Sequence, residues 1–236
     1  GSEHAKWQGQ CNDCGEWNTL KSFNTGPVSR PRAGTGSGYA GQHEPPKPLA
    51  EVDARSMPRI DTGSTELDRV LGGGLAPGSA VLIGGEPGAG KSTLLIQVLC
   101  RLAEDHRALY ITGEESLAQL AMRASRLQLP QDKLHVMAQT SVETITTYWR
   151  DYDPKLVVVD SIQVMQSEHV DSAPGGVAQV RESAASLIRH AKQTDTVLIL
   201  VGHVTKDGNL AGPRVLEHMI DCFVMLEGDP DSRYRT

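Results

Sequence analysis

From about residue 57 onward, short continuous apolar runs alternate with longer stretches whose apolar residues recur at helical spacing. The runs at 80–83, 108–112, 134–137, 156–159, 197–202 and 222–226 are rich in Val, Ile and Leu and too brief for core helices, which predicts buried strands. The periodic stretches at 92–102, 116–127, 142–152 and 176–193 predict amphipathic helices. A further short helix is expected from Ser64 or Thr65, either of which suits an N-cap, to Leu71, ending at Gly72-Gly73-Gly74. Strands alternating with helices imply an α/β fold: a mostly parallel twisted sheet with helices on both faces. No internal repeat is visible.

The N-terminal quarter reads differently. Residues 3–24 form a polar segment with Trp7, Cys11, Cys14, Trp17 and Phe23. Residues 26–50 hold five Gly and five Pro with almost no large aliphatic side chain. Such a stretch buries too little apolar surface to offset its ordering entropy and reads as a flexible linker. The expected organisation is therefore a cysteine-bearing segment at 1–25, a linker at 26–55 and one α/β domain at 56–236.

Composition narrows the picture. Aromatic residues are only 4% of the 236, so the core is expected to be aliphatic. The longest apolar runs are far too short to cross a bilayer. The net charge of −6 disfavours a passive nucleic-acid coat but allows a ring that keeps its positive charge on a few loops. Four cysteines do not form a disulfide framework and suit a reducing cytosol; Cys100 and Cys222 are expected to be small core residues.

The chemistry begins after the first strand. Gly85, Glu86, Pro87, Gly88, Ala89, Gly90, Lys91 and Ser92 complete the pattern G-x-x-x-x-G-K-[ST], between a strand and a helix as phosphate binding requires. The glycines let backbone N–H groups turn inward around phosphates, and the following helix adds the positive end of its dipole. Lys91 is expected to reach the β- and γ-phosphates of ATP, and Ser92 to ligate Mg2+, with Thr93 next in the same turn. The apolar strand at 156–159 ends in Asp160, whose carboxylate then lies beside that loop and orients the magnesium. Hydrolysis needs a group to activate water. Glu114 is the first candidate and Glu115 the second; both also suit the start of the next helix.

The motifs Leu71-Gly72-Gly73-Gly74, Thr112-Gly113-Glu114-Glu115-Ser116, Gln179-Val180-Arg181-Glu182, the stretch from Gly202-His203 through Asp207-Gly208, Ala211-Gly212-Pro213-Arg214 and Leu216-Glu217-His218-Met219 closely resemble the bacterial RadA (Sms) family of DNA-repair proteins. The resemblance covers nearly the whole chain. It implies a RecA-like P-loop ATPase that works as a homo-hexamer, is stimulated by single-stranded DNA, and drives branch migration of recombination intermediates alongside a recombinase filament, in the cytoplasm. It also implies a strand-end sensor role for His203, which a satisfied histidine at a strand end would mimic.

The resemblance carries departures. Cys11 and Cys14 match only the second half of the family's four-cysteine zinc finger, so a proper Zn2+ site is not expected, and the zinc requirement of the intact family is doubtful here. The family's Lys-Asn-Arg-Phe-Gly motif and its Lon-like domain are expected beyond Thr236, which makes this a truncated motor with weak hydrolysis. In RecA-like rings the loops after the central strands face the pore. Residues 163–178 and 205–214 are the candidates here, with Lys206, Arg214 and Arg181 as the DNA-phosphate contacts, although a solvated surface loop fits them equally. A nucleotide-dependent assembly or signalling module without motor activity remains the alternative; a replicative helicase core fits the 203–212 stretch less well.

Overall fold

The computed structural model describes residues 10, 17, 45–51, 58–203 and 216–227. The chain divides into two compact units, Gly1–Gly36 and Ser37–Thr236. In the first, Gln10 and Trp17 form an isolated antiparallel bridge. Cys11 and Cys14 lie outside the described residues, as do Lys206 and Arg214 and the rest of the 205–214 loop.

The second unit carries the sheet. Its elements run α1 (Thr65–Val70), β1 (Ala80–Gly85), α2 (Lys91–Leu102), β2 (Ala108–Thr112), α3 (Leu117–Arg126), β3 (His135–Ala138), α4 (Val142–Tyr152), β4 (Leu156–Asp160), α5 (Val177–Gln193), β5 (Val197–Val201) and β6 (Cys222–Leu226). The six strands lie in the order β3-β2-β4-β5-β1-β6, and every pairing between them is parallel.

Alternation along the strands splits the core in two. Leu82, Leu109, Ile111, Val157, Val159, Leu198 and Leu200 pack against α4 and α5. Their neighbours Val81, Ile83, Tyr110, Val158, Ile199 and Val201 pack against α2 and α3. A sheet covered on both faces explains why its central strands read as unbroken apolar runs. Trp149 fills the first core, and its indole N–H donates to Thr196 Oγ1 at 3.3 Å. Cys100 is buried, and that burial pushes its thiol up to about 11.

The helix starts follow local chemistry. Ser64, Ser116 and Ser141 cap α1, α3 and α4 by accepting backbone N–H bonds, and Gln119 completes a capping box at α3.

Several expectations need correction. β1 runs two residues further than its apolar run, because Gly84 and Gly85 pair with Met225 and Leu226 of β6. β3 begins one residue later than expected and is mostly exposed, since it is an edge strand with one neighbour. Cys222 is half-buried rather than a core residue. Residues 49–51, inside the expected linker, form a single turn of 3-10 helix closed by a hydrogen bond from the Glu51 amide to the Pro48 carbonyl.

The stretch 163–178, which the sequence offers as a pore-facing or solvated loop, has its first third held down. Ile162–Val164 form a 3-10 turn and Met165 is fully buried. Gln166 bonds on both sides to Thr140 and Val142, and the Ser167 hydroxyl donates to Glu143 Oε1 at 2.8 Å. Burial works to raise the Glu143 carboxyl, but donors from Ser167 and the Glu168 amide outweigh it and hold the group below its ordinary value.

Candidate active site

Because the strands are parallel, the carboxyl ends of β1, β2, β4 and β5 meet along one edge of the sheet, where ligands of open α/β sheets bind. Each end delivers one part of the site.

β1 delivers the glycine-rich loop. A Cβ at Gly85 would lie 2.5 Å from the Leu226 carbonyl oxygen, so only glycine fits there. Gly90 caps α2 with φ 98°, and α2 has no side-chain cap. The first N–H groups of α2 therefore stay available to an anion, unlike those of α1, α3 and α4. Lys91 is buried, and its Nζ donates to the carbonyls of Gly85 at 2.6 Å and Glu86 at 3.0 Å. Burial pulls the Lys91 ammonium below its ordinary pKa, while Asp160 and Glu114 act to restore it.

β4 delivers Asp160, which is 9% exposed. Ser92 Oγ donates to its Oδ2 at 2.5 Å, closing a contact between residues 68 apart in sequence. The Tyr110 hydroxyl, from β2, donates to the same oxygen at 2.5 Å. Burial, then the adjacent Asp160 charge, raises the Tyr110 phenol well above its ordinary pKa, so it remains a proton donor.

β2 ends in the turn that holds the two glutamates. Glu114 accepts a hydrogen bond from the buried Ser161 hydroxyl, and its Oε1 lies 3.3 Å from His203 Nε2, at the end of β5. Glu115 is engaged elsewhere: Arg123 of α3 forms a bidentate pair with it at 2.5 and 2.8 Å. That pairing, above all, raises the Arg123 pKa. Thr112 Oγ1 accepts the Glu115 amide and donates to the Glu115 carbonyl, both at 3.0 Å, which fixes the turn.

These groups surround a cleft of about 390 Å³ reaching from Pro87 and Thr93 to His203. The structure thus brings Lys91, Ser92, Thr93, Glu114, Glu115, Asp160 and His203 to one place. Arg181 is elsewhere: it is exposed on α5 and does not line the cleft. Three lining or supporting groups escaped the sequence reading: Tyr110, Arg123 and Ser161. Only Ser161 had a local signal, as the residue after Asp160.

The donor set fits magnesium. That ion takes hard oxygen ligands, with one or two from protein and the rest from phosphate and water. Ser92 Oγ and the Asp160 carboxylate are such a pair, already in contact at the mouth of the phosphate loop.

Among the described residues, no helix is long and apolar enough to cross a membrane. The family described as AAA domain matches residues 44–209. DNA repair protein RadA of Pseudomonas aeruginosa is 59% identical over 235 residues, covering 100% of this chain and 51% of the relative. The proteins of the same name from Haemophilus influenzae and Escherichia coli are 55% and 54% identical, each over 100% of this chain and 52% of their own length. The chain spans about half the length of the curated relatives it matches.

Proposed function

Because this chain belongs to the AAA-domain family, among the proteins named DNA repair protein RadA, we propose that its cleft binds ATP with magnesium and hydrolyses it to drive DNA repair on single-stranded DNA. The observation that carries the reading is the Ser92–Asp160 contact beside buried Lys91. It joins two distant stretches of sequence into a phosphate and metal site.

The residues divide the work. Backbone N–H groups of the loop and of the start of α2 hold the phosphates, and Lys91 places a positive charge among them. Magnesium, when bound, neutralises charge on the phosphate oxygens. Glu114 is the base that accepts a proton from the attacking water; Ser161 and His203 hold its carboxylate in place. Glu115 is unsuited to that task, because Arg123 occupies both of its oxygens. Its pairing instead steadies the turn that carries Glu114. His203, bonded to Glu114 at the end of β5, links the hydrolytic residue to the segment that follows, where Lys206 and Arg214 meet DNA phosphates.

The reading extends to a cytoplasmic homo-hexamer in which a neighbour's basic group completes each site, acting on branched recombination intermediates beside a recombinase filament. Its support is the likeness to the RadA proteins. The test is ATP turnover with and without single-stranded DNA, for this chain and for a protein of the relatives' full length. DNA stimulation of the longer protein is expected. Turnover indifferent to DNA in both would favour an assembly or signalling module instead.

A further inference from the structure

We infer that Tyr110 is the positioning residue that decides which oxygen of Asp160 faces the magnesium ion. The inference rests on the nucleotide-site reading above and deepens it.

Asp160 receives its two side-chain donors on one atom. Ser92 Oγ and the Tyr110 hydroxyl both donate to Oδ2, each at 2.5 Å. Among the described residues no hydrogen bond reaches Oδ1. A carboxylate free to rotate would present either oxygen to a cation; two donors on one oxygen stop that rotation and leave Oδ1 as the free face.

The sheet register explains why a tyrosine does this. Thr112 lies opposite Asp160, and Tyr110 opposite Val158. Tyr110 is thus two residues short of Asp160 along the strand, roughly 6.6 Å. Strand alternation puts both side chains on the face covered by α2 and α3. A phenol spans that gap and carries a donor at its tip. Phenylalanine would fill the same core volume with no donor at all. Tyr110 is also 1% exposed, so its hydroxyl has no water to bond in place of Asp160.

The experiment is Tyr110→Phe, which removes one oxygen and keeps the ring. Fluorescent ADP is titrated against wild type and variant, first in EDTA and then across a series of Mg2+ concentrations. Loss of an outer-shell partner weakens metal binding about 10- to 100-fold. The Mg2+ needed for half of the affinity gain should therefore rise at least about tenfold, with ADP affinity in EDTA unchanged within about twofold. A residue that merely supports the fold would weaken both. A Mg2+ requirement shifted by less than about threefold overturns the inference. A wild type whose ADP binding ignores Mg2+ overturns the site reading itself, before the variant is measured. Should Tyr110→Phe fail to fold, wild type labelled with 3-fluorotyrosine takes its place. A buried fluorine resonance must then move when Mg2+ joins ADP, and an unmoved spectrum overturns the inference.

Discussion

Replacing Gly113 with alanine tests how tightly the turn carrying Glu114 is built. The Gly113 amide donates to the Asp160 carbonyl at 2.9 Å, tying the ends of β2 and β4 together. A Cβ there would lie 2.4 Å from Val164 Cγ2, 3.0 Å from Met165 Cε and 3.3 Å from Thr140 Cγ2. Carbon atoms pack at about 3.5–4.0 Å, so the Val164 overlap exceeds roughly 1 Å. Valine is stiff at χ1 and Met165 is fully buried, so neither yields without moving the 3-10 turn. Overpacking of this kind costs about 1–3 kcal/mol. For a domain of this size each kcal/mol lowers Tm by about 2–4 °C, giving a fall of roughly 2–12 °C. The displaced turn should also take Glu114 away from Ser161 and abolish most ATP turnover, while ADP binding to the loop on β1 survives. The assay is a double-mutant cycle on Tm with Gly113→Ala, Val164→Ala and the pair. Val164→Ala removes the clashing methyl, so the pair should recover at least half of the loss caused by Gly113→Ala. A Gly113→Ala protein as stable as wild type, or a pair whose losses simply add, refutes the packing argument.

Lys91→Ala should lower ADP affinity about tenfold or more by removing the charge-assisted donor on the phosphates; undiminished binding by fluorescence titration would remove Lys91 from the site. Glu114→Gln should bind ADP normally and lose about 10²- to 10⁴-fold in turnover. Glu115→Gln should lose far less, and a dead Glu115→Gln beside an active Glu114→Gln in a steady-state ATPase assay would reverse the assignment. His190 is held below its ordinary value of 6.5, first by burial and then by Arg150. The unfolded chain therefore binds that proton first, and the His190 contribution to stability, present at neutral pH, is lost as pH falls through 6.5 toward the folded value. Urea melts at about pH 7.5 and pH 5.5 should show that loss in wild type and a smaller one in His190→Gln; equal slopes refute it.

The phosphate loop and Asp160 could be read directly because each is a local pattern attached to a strand, and the strands announce themselves as apolar runs once both faces of the sheet are covered. What stayed hidden depends on distance across the sheet. Tyr110 looks like any core aromatic until the register sets it two residues below Asp160. Arg123 looks like a solvent-facing helix charge until α3 turns it back to Glu115. The glutamates could be found and Glu114 placed first, but the contact that ties up Glu115 was not legible, because it comes from an arginine on the next helix. The segment after β4 misled for a related reason. Its small polar residues suggest a loose loop, whereas the Ser167 hydroxyl is bonded to Glu143 of α4 and the Gln166 backbone to Thr140 and Val142 on either side of the start of that helix. At β3, a short run mixing apolar and polar residues gives no sign that the strand is an edge.

The close approach of Gly85 to Leu226 has a mechanical consequence. The phosphate loop starts where β1 and β6 touch backbone to backbone, with no side chain between them to act as a cushion. A displacement of the loop is then delivered to β6 as rigid motion, and tension on the chain leaving Glu227 returns to the loop by the same route. Hydrogen exchange should report this as amides of Gly85 and Leu226 that slow together when nucleotide binds, making the last strand a lever whose short arm rests on the phosphates.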